Sequence, residues 1–475
     1  MAKKLSRRKF VGLSAAAAAG TLATACGATP TPQIIEKEVT KIVAGTPQVV
    51  KETVVVKETE VVKETEVVMV TPTPGPVTKT KVLFWSELVG SKEEGRAALL
   101  NAFNAASDKI EVVHEGINGS DETHQKFMTA ISGGVVPDLL GNDAAFIPGY
   151  VDIDALTDLG PYMEASSTVK PDSFPAGVLG LCKYKGVVWG LPVFADTMVL
   201  YYNKDLMSQA GLDPEKPPRD WDSLREAAIA MTKRDASGKL EVAGCLLDVW
   251  AAPRIFVPLL YAWGGKMFNA DVTQVAFNSA EGKEVLGLFV DLVSKDKVYD
   301  VGWGRELEDS VNEPFIAGKA GLMFECPAAT RRIVRWRPEF QNWGITGLPA
   351  GPKGFAQTAE TIALMIPKAA KHKDEAWRVM EYWMQPKVMV RWSKDVFRPP
   401  STVAALEDES LMSDPRIGPI SEALKHTVEI PSTPRWAEIF NALSAEVELA
   451  MLGKKSPSQA LDDAAATANQ ALGRA

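Results

Sequence analysis

Hydrophobic positions change rhythm twice along the chain. Residues 11–25 form a short apolar run rich in Ala, residues 27–80 set Val pairs against Lys-Glu-Thr, and from residue 81 short apolar bursts alternate with amphipathic stretches. In that last part the pattern predicts a strand over 81–85 and a helix over 92–106 that puts Ala97, Leu100 and Phe103 on one face. A strand over 110–114, a helix over 121–132 and a strand over 138–141 follow. This βαβαβ order implies a parallel sheet covered on both faces. The same grammar resumes with a strand over 198–203, helices over 221–233, 252–263 and 279–294, and a strand over 320–324. The last hundred residues read as mostly helical. The coarse expectation is α/β: two lobes with a helical C-terminal region.

The middle rhythm is a repeat. Residues 49–54 read VVKETV, and 55–60 and 61–66 each read VVKETE. Six residues advance a helix by about 600°, which scatters the Val pairs around the cylinder. In a strand each pair points to both faces, so no single apolar face results. Thr-Pro pairs flank the repeat at Thr29-Pro30-Thr31-Pro32 and Thr71-Pro72-Thr73-Pro74. Residues 27–80 are therefore expected to be a flexible tether spanning about 40 Å as a coil, with pairing between neighbouring chains as the competing outcome.

The first residues read as an address. Lys3, Lys4, Arg7, Arg8 and Lys9 precede the apolar run, the layout of a signal peptide. Ser6-Arg7-Arg8-Lys9-Phe10 resembles a twin-arginine export motif. Ala23-Thr24-Ala25-Cys26 resembles the cleavage site of bacterial lipoproteins, with Ala23 where Leu is usual. That resemblance implies a lipidated Cys26; ordinary cleavage near Ala25 is the alternative. Two acyl chains anchor stably where one is marginal. Cleavage before Cys26 removes five positive charges and no negative ones, taking the formal net charge from −8 to −13. Such an acidic chain argues against nucleic acid as a partner. The remaining Cys182, Cys245 and Cys326 are odd in number; one disulfide plus a thiol, or three buried thiols, are both open.

Three stretches carry a family resemblance. Residues 184–214 read YKGVVWGLPVFADTMVLYYNKDLMSQAGLDP, followed by Pro217, Pro218 and Trp221; residues 264–278 read GGKMFNADVTQVAFN; residues 315–324 read FIAGKAGLMF. Residues 371–383, KHKDEAWRVMEYW, fit as well. From about residue 81 to 474 the chain resembles the extracellular solute-binding proteins of ABC importers, the family that includes maltose-binding protein. The resemblance implies a two-lobe type II periplasmic-binding-protein fold whose chain crosses between lobes three times. Lobe one would hold 81–195 and 361–397, and lobe two 196–360 and 398–475, with hinges near 194–197, 358–362 and 397–400.

A cleft that holds a sugar needs flat aromatic faces against the ring and polar groups around its edge, because buried hydroxyls need partners. Loops after strand C-termini are the place to look. These give Trp85, Ser86 and Glu87 after the first strand and Asn142 and Asp143 after the third, where lobe core or helix N-cap are the competing roles. Asp196 matches a hinge acid of the family. One of Tyr201 and Tyr202 is expected at the cleft margin and the other in the core. Trp250 and Trp303 sit in loops and Trp263 in AWGGK, each a candidate stacking platform. After the strand over 320–324 the family commonly reads Gly-Pro-Trp; here Glu325-Cys326-Pro327-Ala328 has no ring. Glu325, Arg331, Glu360 and Arg398 make that side more polar, which suits a small, hydroxylated or charged ligand. Arg254, Arg305 and Arg331 are the arginines that would favour an anionic one.

No phosphate-loop, dinucleotide or nucleophile-elbow motif occurs. His114 and His124 flank Glu115, Asp121 and Glu122 at spacings that fit no helix-face pair, so neither a metal nor another cofactor is expected. The resemblance implies a monomeric, non-enzymatic receptor for a small solute, most readily a carbohydrate. It would be held to the outer face of the cytoplasmic membrane by the lipid on Cys26 and would deliver to the permease subunits of an ABC importer. Rivals are the same fold with a glycerol phosphate or sugar acid, a lipid-anchored hydrolase, and a stalked adhesion protein.

Overall fold

The computed structural model describes residues 33–43, 46–56, 79–88, 93–303 and 313–473. The signal segment, Cys26 and Arg305 lie outside them. The chain divides into a unit over Met1–Gly75 and a body over Pro76–Ala475.

In the first unit β1 (Gln33–Val43) and β2 (Thr46–Val56) pair antiparallel within one chain, from Gln33 opposite Val56 to Val43 opposite Thr46. This differs from the unpaired tether expected above. Val, Ile and Thr favour pleated backbone, and the register sets Lys37 opposite Glu52 and Glu38 opposite Lys51.

The body is built on two five-stranded sheets. The first uses β3 (Thr80–Ser86), β4 (Ile110–Gly116) and β5 (Leu139–Asp143), which run parallel through the helices Glu93–Ala106 and Ser120–Gly133. A small hairpin of β6 (Lys183–Tyr184) and β7 (Val187–Val188) follows. Then β8 (Leu191–Pro192) closes the first sheet. The second sheet takes β9 (Val199–Asn203), β10 (Lys233–Arg234), β11 (Leu240–Leu246), β12 (Ala320–Glu325) and β13 (Trp343–Thr346), in the order β10-β11-β12-β9-β13. Finally β14 (Ile362–Met365) returns to the first sheet, whose order is β4-β3-β5-β14-β8.

Neither sheet is wholly parallel. β14 enters at the C-terminal end of β5, with Ile362 opposite Asp143, so it can only run antiparallel. β9 likewise runs antiparallel to both β12 and β13. Strands that arrive from the other sheet reverse the direction set by the βαβ units.

Period-2 alternation divides β3 between two cores. Val82 and Phe84 pack with Leu100, Phe103, Trp383 and Trp392 on one face, while Trp85 packs with Phe127, Leu140 and Tyr150 on the other. The second lobe's core joins β9 and β12 to the helices Ala251–Ala262 and Ala280–Ser294. The C-terminal helices Trp436–Met451 and Pro457–Leu472 cover it through Leu443, Val447, Leu461 and Ala468. Cys182, Cys245 and Cys326 are free thiols, without the disulfide of the first outcome; Cys182 and Cys245 are buried and Cys326 is half-buried.

The chain crosses between sheets twice, from β8 to β9 and from β13 to β14, and a third time between lobes as its C-terminal helices pack on the second core. The third crossing is less abrupt than the boundary at 397/398. Phe397 turns out of the helix Pro386–Val396 at φ 54°, a left-handed conformation uncommon for a bulky residue. Yet Val403–Leu406 still packs on the first lobe, with Ala405 in its core.

Candidate functional site

The three crossing segments are laced by backbone hydrogen bonds. Val193 N–H donates to Ile362 O (2.9 Å) and Ala195 N–H to Pro399 O (3.1 Å). Asp196 and Glu360 exchange both bonds, at 2.9 and 2.8 Å. The Thr197 hydroxyl donates to Thr358 O at 2.6 Å. Beside this lattice lies a cavity of about 220 Å³. Glu87 and Asp143 reach it from the ends of β3 and β5. The crossings supply Phe194, Asp196, Thr197, Thr358, Glu360, Thr361 and Arg398. The second lobe adds Met198, Trp250, Arg254 and Cys326.

Charge is paired unevenly here. Arg398 forms an ion pair with Asp196, both side chains about nine-tenths buried, and its guanidinium stacks 4.7 Å from the Phe194 ring centroid. Burial works against the Arg398 charge, but the fields of Asp196, Glu360 and Glu87 outweigh it and hold the guanidinium above its ordinary value. Glu360 is exposed to the cleft while protein surrounds it on both sides, and loss of bulk water pushes its carboxyl up. Arg254 opposes that shift and Asp196 adds to it. Arg254 lies 4.2 Å from the Trp250 ring and 5.4 Å from that of Phe440, and donates from Nη1 to Trp250 O at 2.9 Å. Burial pushes the Cys326 thiol well above its ordinary value, so it is not poised as a nucleophile.

The sequence candidates divide between cavity and lobe interior. Glu87, Asp143, Asp196, Trp250, Glu360 and Arg398 line the cavity, as does Arg254. Asp143 also caps the next turn by accepting from Ala145 N (2.9 Å), so N-cap and lining are one residue. Trp250 keeps 38% of its surface exposed.

The others are held elsewhere. Trp85 is buried in the lobe-one core with the Lys126 ammonium 4.0 Å from its ring. Ser86 shares a 2.7 Å hydrogen bond with His114 Nε2. Burial pushes that imidazole down to about 3, so it stays neutral. Asn142 donates to Tyr150 Oη (3.1 Å) and Ser120 O (3.2 Å) behind the cleft. Trp263 is buried and donates to Glu284 (3.0 Å); Trp303 donates to Leu240 O (3.1 Å) and packs on the second core. The indole N–H groups of Trp263 and Trp303 have found acceptors inside the lobe.

Glu325 is buried with its carboxylate on Cys326 N (2.9 Å) and 3.6 Å from Arg332. Arg331 lies on the helix Ala328–Trp336, outside the cavity lining. Neither Tyr201 nor Tyr202 reaches the cavity: Tyr201 donates to Cys326 O (3.1 Å) in the core, and the Tyr202 ring faces Gly344. Sequence reasoning missed Thr197, Met198 and Thr358, although the first two fall in the long matching stretch beside Asp196.

Among the described residues no cluster of three metal-ligating side chains occurs, and no helix is long and apolar enough to cross a membrane.

Known proteins of similar sequence and structure fit this geometry. The chain is 26% identical over 438 residues to the sn-glycerol-3-phosphate-binding periplasmic protein of Salmonella typhimurium, covering 83% of this chain and 93% of that one. It is 26% identical to an uncharacterized lipoprotein of Streptomyces antibioticus, covering 72% and 74% of the two chains. In structure it resembles the sugar-binding protein MalE of Xanthomonas citri, with a TM-score of 0.75, 23% identity and coverage of 83% and 98%. It also resembles the cyclic alpha-maltosyl-1,6-maltose binding protein of Arthrobacter globiformis, with a TM-score of 0.72, 23% identity and coverage of 84% and 100%. These two likenesses establish the two-lobe fold. The profile of the bacterial extracellular solute-binding proteins matches residues 98–419, and with two lobes, three crossings and a polar cleft between them, the chain belongs to that family.

Proposed function

We propose that this chain is a membrane-tethered receptor that captures a small solute, foremost a carbohydrate, between its lobes and delivers it to an ABC import permease. The observation that carries the reading is the cavity at the crossings, where carboxylates, guanidinium groups, threonines and the half-exposed Trp250 converge from both lobes. A hydroxylated ring needs that mixture: an apolar face for its C–H side and donors and acceptors around its rim. At about 220 Å³ the cavity is smaller than the roughly 300–1,000 Å³ of sites for drug-sized ligands, which suits a sugar of one or two rings or a polyol.

Anchoring through a lipid on Cys26 is part of the same proposal, supported by the motif at 23–26 and by the lipoprotein relative. The segment over 27–80 then sets the body off from the membrane, and residues 194–197, 358–362 and 397–400 serve as hinges. The sn-glycerol-3-phosphate-binding relative supports a second reading, an anionic solute held by Arg254 and Arg398.

A thermal-shift screen of the purified protein against mono- and oligosaccharides, polyols, sugar acids and sugar phosphates tests this. A ligand at about 100 times its dissociation constant adds about 2.7 kcal/mol. Stabilisation by one sugar class supports the carbohydrate reading. Stabilisation by phosphates alone overturns it in favour of the second, and no shift with any solute overturns both.

A further inference from the structure

Two charged side chains in the cleft stand apart from the rest. Asp196 and Arg398 are committed to each other. Arg254 has no carboxylate within ion-pairing distance among the described residues. Its Nη1 is used on Trp250 O, while its Nε–H is buried with no acceptor among the described residues. The planes of Trp250 and Phe440 hold the guanidinium in place, so this cavity-lining donor group is fixed before any ligand arrives. Glu360, of opposite sign, lines the same cavity exposed and with no hydrogen-bond donor on its carboxylate among the described residues, and Arg254 is the foremost positive charge acting on it.

A fixed donor group and an open acceptor in one small cavity ask for a particular chemistry. A hydroxyl accepts from Arg254 and donates to Glu360. A polyol offers separate hydroxyls to the two groups and brings no net charge. An oxyanion serves Arg254 but has no proton for Glu360, and it enters a cleft lined by four carboxylates (Glu87, Asp143, Asp196, Glu360) against two guanidinium groups among the described residues. We propose that Arg254 and Glu360 form the donor–acceptor pair that determines specificity, selecting uncharged polyhydroxylated solutes and rejecting their phosphorylated or carboxylated counterparts. This rests on the receptor reading and decides between its two branches.

The test uses matched skeletons: D-glucose against glucose 6-phosphate and D-glucuronate, maltose against maltobionate, and glycerol against sn-glycerol 3-phosphate. Binding is read by calorimetry and thermal shift at low and high salt, for the wild type, Glu360→Gln and Arg254→Gln. The expected result is that a neutral member binds and its anionic partner binds at least about tenfold more weakly at low salt. High salt narrows the gap. Glu360→Gln narrows it as well, because it keeps a hydrogen-bonding group and removes the charge. Arg254→Gln weakens the neutral ligand at least about tenfold, by leaving its hydroxyl without the charged donor.

An anion that binds as tightly as its neutral partner, or tighter, overturns the proposal while leaving the receptor reading intact. So does a gap that neither Glu360→Gln nor salt alters. If a variant fails to fold, the wild-type comparison and its salt dependence still decide. Absence of binding by every member, charged or neutral, overturns the receptor reading for these solutes and this proposal with it.

Discussion

Replacing Asp196 by Ala is the sharpest probe of the crossing lattice. Both members of the Asp196–Arg398 pair are about nine-tenths buried, and the arginine is also stacked on Phe194. Removing the carboxylate leaves a buried cation, and breaking one side of such a pair costs about 3–5 kcal/mol. Glu360 and Glu87 also act on Arg398, so the lower end of that range is expected, about 3 kcal/mol. With an unfolding entropy near 2.1 cal/mol/K per residue, a body of this size gives about 0.8 kcal/mol/K. The melting temperature should therefore fall by about 4 °C. The companion change Asp196→Leu with Arg398→Met removes both charges and should recover most of the loss. Calorimetry on wild type, Asp196→Leu, Arg398→Met and the double variant gives the coupling energy directly. A single substitution that costs under about 0.5 kcal/mol, or a double variant as unstable as the sum of its parts, would show that the pair is surface electrostatics and not a buried latch.

Other outcomes are equally checkable. Gly244→Ala sets a Cβ 1.8 Å from the Ala228 carbonyl oxygen, so β11 must part from the helix Trp221–Met231; urea denaturation should show a loss of at least about 1–3 kcal/mol. Glu360 titrates above the ordinary carboxylate range, so its ionised form burdens the folded state and stability contributed by this group is lost as pH rises through that value. Glu360→Gln should therefore be more stable than wild type at neutral pH, and the difference should shrink as pH falls toward the ordinary carboxylate value; a difference flat with pH refutes the assignment. Deleting residues 27–78 should leave the melting temperature of the remaining body unchanged, as its cores are built from residues 82 onward; a fall of several degrees would contradict this.

The elements were largely legible because their signals are local. The strand expected over 110–114 is Ile110–Gly116 and the helix expected over 279–294 is Ala280–Ser294, since both apolar period and capping residue (Ser279 on Gly282 N) lie within the segment. Sheet direction was not legible, because β9 and β14 owe theirs to the crossings, which join segments more than a hundred residues apart. Among the site candidates, Glu87 and Ser86 show where local reasoning stops. Ser86 is the last residue of β3 and turns to His114 on the adjacent strand, while Glu87, one step past the strand, reaches the cleft. Trp250, Trp263 and Trp303 all stand near loops or helix ends. What separates them is the acceptor each indole finds, Glu284 for Trp263 and Leu240 O for Trp303, and no local pattern encodes a partner 21 or 63 residues away.

The crossings also tie recognition to motion. Asp196 and Glu360 are cross-strand neighbours that exchange two backbone bonds, so two carboxylates face each other on the segments that any lobe rotation must bend. Like charges so placed repel, and among the described residues Arg398 is ion-paired with Asp196 and not with Glu360. Glu360 is left to a partner that arrives from outside. A solute that donates to Glu360 and accepts from Arg254 engages a crossing segment and the second lobe together, and further contact with Glu87 or Asp143 adds the first lobe. Its affinity then depends on how near the lobes stand. A ligand shifts a conformational equilibrium only by its differential affinity for the two states, and this placement of groups supplies such a difference. A solute that reached Trp250 and Arg254 alone would bind without favouring closure, since both belong to one lobe. On the receptor reading, contact with Glu87 or Asp143 of the first lobe, beside Arg254 and Glu360, is therefore what separates a ligand that draws the lobes together from one that merely occupies one of them.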